Sequence, residues 1–315
     1  MSMRKILVTG GAGFIGSNLV HYLQSNAILR AETLEITVLD ALTYAGNLDN
    51  LSDIPDPRKM NFVHGDVRDW NLVQELIQKN DQVFHLAAES HVDRSIVNPG
   101  IFLETNVQGA LNVFEASRKF TKRVLLVSTD EVYGSLDEGY ANEDHHLNPS
   151  SPYSASKASA DLLAISFYKT FGLDVVITRC TNNYGPRQFP EKLIPQSINR
   201  ILGKQRIPVY GTGKNIRDWI HVEDHCAGLL LAMDKGESGR IYNFGDVDQR
   251  TNLQIIQQLL DIMGESRNLI EFVEDRLGHD FRYAIDSSRA RHELGWMPKE
   301  SLSNSIAQVV DWYKK

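Results

Sequence analysis

Two carboxylates stand side by side in the stretch VSTDEVYGS, directly after the apolar run 125–127. Such a run predicts a buried strand, which would place Asp130 and Glu131 at the strand's carboxyl end. Two neighbouring carboxyl groups can serve as acid and base when their surroundings push their pKa values apart. Helix N-capping is the alternative, because Asp is favoured at the cap and Glu in the first turn. The two roles are compatible.

Tyr153 and Lys157 are four residues apart in SPYSASKAS, a spacing that puts both side chains on one face of a helix. A lysine ammonium would lower the pKa of the phenol, so that Tyr153 could accept a proton from an alcohol as hydride leaves the same carbon. Thr129, at the end of the preceding strand, would hydrogen-bond the alcohol oxygen. The alternative for the pair is an aromatic ring packed on a lysine stem.

Glycines that could hold a pyrophosphate follow the first apolar run in VTGGAGFIG. Gly10, Gly13 and Gly16 recur every third residue, and the stretch also contains G-x-G-x-x-G. These glycines permit a tight turn and close approach of the backbone to phosphate, while the following helix points its N-terminus at the phosphates. Asp40 ends the second predicted strand 24 residues after Gly16. A carboxylate there would bond the ribose diol and repel a 2′-phosphate, so NAD is favoured over NADP.

The elements that must position these groups alternate along the chain. Apolar runs predict strands at 5–9, 36–40, 61–64, 82–87, 123–128 and 174–179. Apolar spacing near 3.6 residues predicts helices at 14–24, 71–79, 102–119 and 153–171. This alternation predicts an α/β fold with a doubly wound parallel sheet of the Rossmann type, and strands that are apolar throughout fit burial on both faces.

The alternation weakens after Cys180, where prolines at 186, 190, 195 and 208 interrupt it and helices are predicted at 253–263 and 302–312. We therefore predict an NAD-binding domain at 1–180 with returning segments at about 219–245. A smaller mixed C-terminal substrate domain would take about 181–218 and 246–315. No flexible linker separates the two regions, so they would pack directly with a cleft between them.

Composition limits the classes of partner. The 315 residues carry a net charge of −7 without a long basic run, so neither nucleic acid nor an anionic membrane surface is expected as a partner. The two cysteines, Cys180 and Cys226, do not indicate a disulfide framework and favour a reducing compartment. A secretory leader and a long apolar span are not evident, so the expected location is the cytoplasm.

Taken together, the motifs make the chain similar to extended short-chain dehydrogenases/reductases that act on nucleotide sugars, and within these it resembles the 4,6-dehydratases. The resemblance covers nearly the whole chain. It is carried by GGAGFIGSN, LDALTYAGNLDNL, HLAAESHVDRSI, STDEVYG, SPYSASKASADLL, NNYGPRQFPEKLIP, PVYGTGKNIRDWIHVEDH, RTN and GHDFRYAID. STDEVYG and NNYGPRQFPEKLIP are far more specific than the glycine motif.

The resemblance implies oxidation of a hexose at C4, loss of water across C5 and C6, and return of hydride to C6, with NAD tightly bound and regenerated in each turnover. It assigns Glu131 as the base at C5 and Asp130 as the acid at C6. Burial and the neighbouring negative charge should raise the pKa of Asp130 and keep it protonated. A dTDP-hexose is the expected substrate, because LTYAGN is closer to members that take dTDP-sugars than to those that take UDP-sugars.

Three sets of residues are predicted to form the site. The catalytic set is Thr129, Asp130, Glu131, Tyr153 and Lys157. The cofactor set is Gly10, Gly13, Phe14, Ile15, Gly16, Asp40, Asp66, Val67, Ala87, Ala88, Tyr153 and Lys157. The substrate set is Ser90, Asn182, Lys192, Leu193, Pro208, Tyr210, Arg217, Asn252, Arg276 and His279. Asp66 would contact the adenine, with a plain turn as the alternative, and Asn106 is expected to support the sheet or the nicotinamide side.

The sequence departs from the family pattern at two positions. Leu277 stands where the pattern has proline, and Phe281 stands where it has arginine, which affects the expected loop and nucleotide contacts rather than the chemistry. His221 and His225 are four apart in HVEDH, as zinc ligands on a helix can be. They lack a third ligand motif and do not match H-E-x-x-H, so no metal is predicted.

Other functions stay open on the sequence, as does the choice between dTDP and UDP. A 4-epimerase needs no acid–base pair after Thr129, and a decarboxylase needs a pocket for the substrate carboxylate. A non-catalytic NAD-sensing module can lose the tyrosine or the lysine, and both are present here. The resemblance also implies a homodimer, in which 102–119 and 153–171 of two copies pack as a four-helix interface.

Overall fold

The structure is a computed structural model that describes residues 3–245 and 247–314. Its strands are Arg4–Thr9 (β1), Leu34–Asp40 (β2), Met60–His64 (β3), Gln82–His85 (β4), Arg123–Thr129 (β5), Val175–Cys180 (β6), Asn182–Tyr184 (β7), Ile207–Tyr210 (β8), Ile216–His221 (β9), Ile241–Phe244 (β10), Gln249–Thr251 (β11) and Ile270–Val273 (β12). Its α-helices are Phe14–Leu29 (α1), Trp70–Lys79 (α2), Val92–Val97 (α3), Pro99–Phe102 (α4), Gly109–Phe120 (α5), Pro152–Phe171 (α6), Leu193–Leu202 (α7), Val222–Lys235 (α8), Asn252–Met263 (α9) and Leu302–Tyr313 (α10).

Seven strands of the described chain form one parallel sheet in the order β3-β2-β1-β4-β5-β6-β10. The predicted doubly wound parallel sheet is therefore confirmed. The order of the strands reverses between β1 and β4, because β2 and β3 lie on one side of β1 while β4, β5 and β6 lie on the other. In open α/β sheets a ligand binds at such a switch point, outside the carboxyl ends of the strands.

Helices cover both faces of this sheet, because successive side chains of each strand point to opposite faces. Ile6 of β1 joins one apolar core with Leu19 of α1, and α1 packs beside α8. Leu7 joins a second core with Phe114 of α5, and α2, α5 and α6 pack together there. Two layers of helices thus exclude water from the centre of the sheet and hold the strand ends in fixed positions.

The predicted strands are found within two residues of their expected limits, with one correction. The strand predicted at 82–87 ends early, at His85. Leu86 still donates its backbone N–H to the carbonyl of Thr9 (3.1 Å), but Ala87 donates to the Thr9 hydroxyl (3.2 Å). The side chain of Thr9 therefore ends the ladder and turns the chain away from the sheet.

The helix predicted at 102–119 also differs from the structure. It begins earlier, at Pro99, and its segment Leu103–Gln108 is π-helical. The wider turn directs Asn106 inward, where its amide accepts from Glu89 N (2.8 Å) and donates to Glu89 O (3.0 Å) and to the Ser156 hydroxyl (2.8 Å). Such π turns are frequent at functional sites, and here Asn106 fixes the loop after β4.

A smaller region follows β6. In the described residues it holds a sheet of β7, β9 and β11 and a parallel pair of β8 with β12. Helices α7, α9 and α10 supply its apolar core, which contains Ile198, Leu259 and Ile306. Between these parts α8 and β10 return to the large sheet. The division into an NAD-binding domain and a substrate domain stays a prediction.

No helix among the described residues has both the length and the apolar character needed to cross a membrane.

Candidate active site

A cavity of about 420 Å³ opens at the carboxyl ends of β1, β2, β4, β5 and β6. All predicted catalytic and cofactor residues line it, together with three predicted substrate residues. The lining residues from the predictions are Gly10, Gly13, Phe14, Ile15, Gly16, Asp40, Asp66, Val67, Ala87, Ala88, Ser90, Thr129, Asp130, Glu131, Tyr153, Lys157, Asn182 and Lys192. Distant stretches of sequence thus meet in one cavity at the switch point.

The glycine loop between β1 and α1 leaves little room for side chains at its first and last glycines. Gly10 has a φ of +73°, and a Cβ there would lie 2.7 Å from Ala87 N. At Gly16 a Cβ would lie 2.1 Å from the carbonyl of Gly10. Both glycines are therefore required by the turn and the close helix–sheet contact. Gly13, by contrast, faces the cavity at the N-terminus of α1.

The loop also has the groups that an NAD molecule needs. The carboxylate of Asp40 accepts from Ala12 N (2.9 Å) and from Leu42 N (2.8 Å), and each oxygen keeps lone-pair capacity for the hydroxyls of a ribose. Asp66 lies on the same wall, oriented by the backbone N–H (2.8 Å) and the guanidinium (2.8 Å) of Arg68. Backbone donors at a helix N-terminus beside a strand-end acid fit a dinucleotide without a 2′-phosphate.

Tyr153 and Lys157 lie one turn apart near the start of α6, and Ser151 caps this helix with Ser154 in a reciprocal pair. Lys157 donates to the backbone carbonyl of Val127 on β5 (2.7 Å), which fixes the helix against the strand. Burial lowers the pKa of Lys157, while the charge of Asp161 opposes the change. We call Tyr153 and Lys157 the oxidation pair.

The predicted lowering of the phenol pKa by Lys157 is wrong for the protein alone. Burial and the facing Glu131 raise the pKa of Tyr153 well above its ordinary value, and a hydrogen bond from Thr129 opposes this only in part. The ammonium of Lys157 is engaged with the β5 backbone. A further positive charge in the cavity is therefore needed to favour a tyrosinate.

Asp130 and Glu131, which we call the elimination pair, begin a 3-10 turn that directly follows β5. Thr129 is the N-cap of this turn, where Asp130 was the expected cap, because the hydroxyl of Thr129 accepts from Glu131 N (3.3 Å). One carboxyl oxygen of Asp130 accepts from the Thr129 hydroxyl (3.3 Å), and the other has no hydrogen-bond partner among the described residues. The capping role thus belongs to Thr129, and both carboxyl groups are left for chemistry.

The surroundings separate the two members of the elimination pair. Burial, and then the charges of Glu131 and Asp218, raise the pKa of Asp130 to about 8, so it is protonated at neutral pH. Burial also raises the pKa of Glu131, but the neighbouring cations oppose the shift. These cations are Lys192, Arg217 and Arg276. A carboxyl group with a strongly raised pKa beside one whose charged form is favoured by cations is an arrangement suited to acid–base catalysis.

The substrate side of the cavity has a positive cluster of Lys192, Arg217 and Arg276. Lys192 donates to the carbonyl of Ser90 (3.2 Å). Arg217 is 4% exposed and stacks over the ring of Tyr283, with 4.3 Å between the guanidinium carbon and the ring centroid. Guanidinium forks suit phosphate oxygens, so this cluster can bind a diphosphate.

Some predicted substrate residues lie outside the residues that line the cavity: Leu193, Pro208, Tyr210, Arg217, Asn252, Arg276 and His279. Two of them still act on the cavity, because the charges of Arg217 and Arg276 lower the pKa of Glu131, which lines it. Arg276 approaches the ring of Tyr210 (6.0 Å), and His279 meets the same ring edge-on (6.4 Å). Leu193, by contrast, packs on the core of the smaller region. Roles in substrate binding remain predictions for this set.

The two departures from the family pattern lie on the same side of the molecule. The side chain of Leu277 is 78% exposed and that of Phe281 is 51% exposed. The backbone carbonyl of Phe281 accepts from Arg217 (3.3 Å), so this position acts on the cation cluster through its main chain. Phenylalanine can therefore replace the expected arginine without loss of that bond.

Several residues that line the cavity were not predicted from the sequence, among them Glu89, Thr105, Cys180, Thr181 and Phe189. Cys180 and Thr181 follow β6, so the rule that ligands bind beyond the carboxyl ends of parallel strands could have found them. Thr105 and Phe189 had no such signal, because a π turn and an irregular loop bring them to the cavity.

The histidines of HVEDH are built into the packing. His221 caps α8, and its Nδ1 accepts from Glu223 N (3.4 Å). Burial lowers the pKa of His225 to about 3, and its ring shares a hydrogen bond of 2.9 Å with the amide of Asn183. Among the residues that the structure describes, no group of three or more His, Cys, Asp or Glu side chains could hold a metal ion.

Comparison with known proteins gives a consistent result. The family model described as "GDP-mannose 4,6 dehydratase" matches residues 7–309. A dTDP-glucose 4,6-dehydratase from Actinoplanes sp. is 49% identical over 312 residues, which are 98% of each chain. DesIV, the dTDP-glucose 4,6-dehydratase from Streptomyces venezuelae, was solved with NAD bound and superposes with a TM-score of 0.95 at 46% identity, over 98% of this chain and 97% of that one.

A UDP-glucose 4-epimerase from Thermotoga maritima, solved with UDP-glucose, has the same architecture at greater distance in sequence. It is 30% identical, with a TM-score of 0.89 over 98% of each chain. The two solved structures therefore share the fold with this chain, and the residues of the cavity must distinguish between the chemistries.

Proposed function

Because the chain belongs to the extended short-chain dehydrogenase/reductase family that the GDP-mannose 4,6 dehydratase model describes, we propose that it converts dTDP-glucose to dTDP-4-keto-6-deoxyglucose and water. It is an NAD-dependent enzyme of the hydro-lyase class. One observation of the site carries the proposal. Asp130, whose pKa is raised to about 8, stands directly beside Glu131, whose charged form three cations favour, in the cavity that also holds the oxidation pair.

Oxidation at C4 requires that the hydroxyl proton be removed as hydride leaves the carbon. When bound, NAD supplies a hydride acceptor that can later return hydride, and its cationic ring supplies the positive charge that favours a tyrosinate. Tyr153 takes the proton of the C4 hydroxyl, Thr129 bonds the same oxygen, and Lys157 holds α6 against β5 through Val127. The carbonyl of Val127 is the acceptor that fixes the ammonium in place.

The ketone at C4 acidifies the hydrogen on C5, which opens the second half of the reaction. Glu131 removes that proton, and Asp130 gives its own proton to the hydroxyl that leaves C6. The two groups act on adjacent carbons, which suits neighbouring residues of one short turn. Proton transfer from Glu131 back to C5 completes a 4-keto-6-deoxy sugar once C6 has accepted the hydride that the bound cofactor would return. The sugar loses one water, and the cycle closes when the proton that Tyr153 took replaces the one that Asp130 gave.

The cation cluster supports binding of the diphosphate. Lys192, Arg217 and Arg276 all act on Glu131 electrostatically, so they lie within reach of a sugar whose C5 meets that carboxylate. The relatives named for dTDP-glucose, with sequence identities of 45–49%, favour a dTDP-sugar over a UDP-sugar. We also propose that Pro208 and Tyr210 pack against the pyrimidine of the nucleotide.

The rival function is 4-epimerisation, which a solved structure of the same fold performs according to its name. An epimerase oxidises C4 and returns hydride to the same carbon, so it needs no acid for a leaving hydroxyl. The raised pKa of Asp130, about 8, has no use in that reaction. The elimination pair therefore favours dehydration.

We further propose that two copies form a dimer through the helical hairpin of 99–120 with α6. Leu103, Leu162 and Phe171 expose 54%, 58% and 51% of their side chains on these elements. Packing the helices of two copies as a four-helix bundle would cover them. A monomer in sedimentation at micromolar concentration would contradict the dimer.

The cytoplasm is the proposed location.

Product identification tests the function. The purified protein is incubated in turn with dTDP-glucose and with UDP-glucose, and the product is identified by mass and by the absorbance of the keto sugar in alkali. We expect loss of one water from dTDP-glucose at the faster rate. Release of an epimer with unchanged mass would overturn the proposal, and faster dehydration of UDP-glucose would correct the nucleotide.

A further inference from the structure

A buried polar network lies behind the wall of the cavity and joins the elements that carry both catalytic pairs. The guanidinium of Arg179 on β6 donates through Nε to Asp161 of α6 (2.8 Å) and through Nη1 to the hydroxyl of Tyr133 (2.8 Å). The Tyr133 hydroxyl in turn donates to Asn243 Oδ1 on β10 (2.9 Å). Asp161, Arg179, Tyr133 and Asn243 are each at most 2% exposed.

Each end of this network is attached to a part of the reaction centre. Tyr133 is the last residue of the turn that begins with the elimination pair. Asp161 lies one helical turn after Lys157 on α6, and its charge raises the pKa of that lysine. Arg179 precedes Cys180, which lines the cavity. The network therefore connects the turn to the helix without touching the cavity, because none of its four members is among the residues that line it.

Stability alone is a weak reason for such a network. A buried ion pair loses much of its hydration, and well-packed apolar residues of similar volume often stabilise a protein equally or better. The fixed geometry of the network is a stronger reason, because fully bonded polar groups allow one arrangement of the elements they join. The Tyr133 hydroxyl is fully bonded, as it accepts from Arg179 and donates to Asn243.

The turn is held by several contacts besides the Tyr133 hydroxyl, including packing of Val132 and Tyr133 with Ala158 of α6 and a bond from Gly134 N to Glu131 O (3.2 Å). At its start Thr129 caps it, and in its middle Val132 O accepts from Asn148 N (3.0 Å). At its end the ring of Tyr133 packs under the guanidinium of Arg179, with 4.8 Å between the guanidinium carbon and the centroid. Asn243 is itself held, since its amide donates to Ala141 O (3.1 Å) and its N–H donates to Glu143 (3.0 Å).

We propose that Tyr133 is a positioning residue for elimination: its hydroxyl, held between Arg179 and Asn243, fixes the elimination pair relative to the oxidation pair. This inference rests on the proposed dehydration. The hydroxyl binds the turn directly and reaches α6 only through Arg179 and Asp161. Helix α6 keeps that ion pair and its bond from Lys157 to β5 when the hydroxyl is removed. Loss of the hydroxyl should therefore slow elimination while C4 oxidation continues, since small misplacements of catalytic groups reduce rates steeply.

The test is Tyr133→Phe, which keeps the buried ring and removes the hydroxyl. Absorbance of reduced nicotinamide measures C4 oxidation, and exchange of the C5 hydrogen with deuterated water measures elimination. We expect the exchange to slow at least about tenfold, while oxidation and KM change less than about threefold and reduced nicotinamide accumulates. A merely structural tyrosine would lower the melting temperature and reduce both half-reactions equally, and that result would overturn the proposal, as would unchanged kinetics.

Tyr242→Phe is the matched control. Tyr242 is 1% exposed on β10, and its hydroxyl bonds Glu237 N (3.1 Å) and Glu293 (3.0 Å), away from the network. We expect both half-reactions to keep wild-type rates in that variant. If Tyr242→Phe shifts the ratio of the half-reactions as Tyr133→Phe does, the effect belongs to any buried tyrosine and the positioning role is rejected.

Arg179→Lys provides a second route if Tyr133→Phe does not fold. It keeps a positive charge for Asp161 but loses the planar fork that holds two partners at once, so the same selective loss of elimination is expected, and equal loss in both half-reactions would overturn the role. The wild-type protein, measured in parallel, separates the two claims. If the wild type dehydrates the sugar and the variants keep its ratio of elimination rate to oxidation rate, only the positioning role is refuted. If the wild type does not dehydrate the sugar, the proposed function is refuted, and the positioning role with it.

Discussion

The oxidation pair and the elimination pair are each two neighbouring groups in one cavity, but their surroundings act on them in opposite ways. In the oxidation pair, burial raises the pKa of Tyr153 and lowers that of Lys157, so both side chains are pushed toward their neutral forms. In the elimination pair, burial raises both carboxyl pKa values. Three cations oppose the shift at Glu131 and Asp280 adds to it, whereas at Asp130 the acids Glu131 and Asp218 add to the shift and Arg217 opposes it.

This difference separates two kinds of catalytic preparation. In the elimination pair, the charges of the protein act to different degrees on the two carboxyl groups, with more cations acting on Glu131 than on Asp130. The oxidation pair is not prepared in the same way, because its lysine bonds the β5 backbone and the phenol needs a positive charge from the bound cofactor. Changes to the two pairs should therefore break different halves of one reaction.

The largest effect is expected when the oxidation pair loses its phenol. Tyr153→Phe should reduce overall turnover by at least about 10³-fold, because the proton of the C4 hydroxyl has no acceptor. Binding of the nucleotide sugar, measured by calorimetry, should stay within about threefold, since the hydroxyl contributes little to the diphosphate contacts. Normal turnover in this variant would remove Tyr153 from its proposed role as the base.

Glu131→Gln should break the other half of the reaction. The amide cannot accept the C5 proton, so elimination should fall by about 10²- to 10³-fold while C4 oxidation persists. The measurements are accumulation of reduced nicotinamide and exchange at C5 in deuterated water. The exposed Glu138 provides the control substitution, Glu138→Gln, with wild-type rates expected. If exchange at C5 stays normal in Glu131→Gln, another group is the base.

Asp130→Asn should slow loss of the C6 hydroxyl by about 10²-fold, because the amide has no acidic proton to give. The wild-type pH profile sharpens this prediction. The pKa of Asp130 is about 8, and its protonated form is the active one, so elimination should decline as pH rises through about 8, up to about tenfold per unit. Asp130→Asn should lose that decline. A profile that is the same in both proteins would reject Asp130 as the acid.

The smallest effect is expected at the cation cluster. Arg276→Ala should raise KM about tenfold through loss of a diphosphate contact. It should also raise the pKa of Glu131, because that arginine is one of the cations that lower it, so the acidic limb of kcat/KM should move to higher pH. Arg58, whose side chain is 88% exposed beside Asp56, supplies the matched control. If the acidic limb of kcat/KM stays at the same pH in Arg276→Ala, the charge of Arg276 does not act on the pKa of Glu131.

Much of the fold could be predicted from local sequence. Six strands of the large sheet follow from apolar periodicity, because burial on both faces leaves long apolar runs. Of the helices that cover it, α1, α2, α5 and α6 were predicted in the same way, whereas α8 was not. The glycine loop was also predictable, since its spacing reflects steric demands of the turn, as the close approach of Gly10 to Ala87 illustrates. The π turn at 103–108 was not predictable, because side-chain bonds of Asn106 to a distant loop produce it.

The sequence by itself determined which groups the chain brings to the reaction: glycines for a dinucleotide, a tyrosine and a lysine one helical turn apart, and two acids after a buried strand. Only the tertiary structure decided how those groups are charged. The pKa of Asp130 depends on burial and on Asp218, and that of Glu131 depends on cations from three separate segments. Electrostatic energies depend on distance in space and on access to water, and neither quantity is written in the order of residues along the chain.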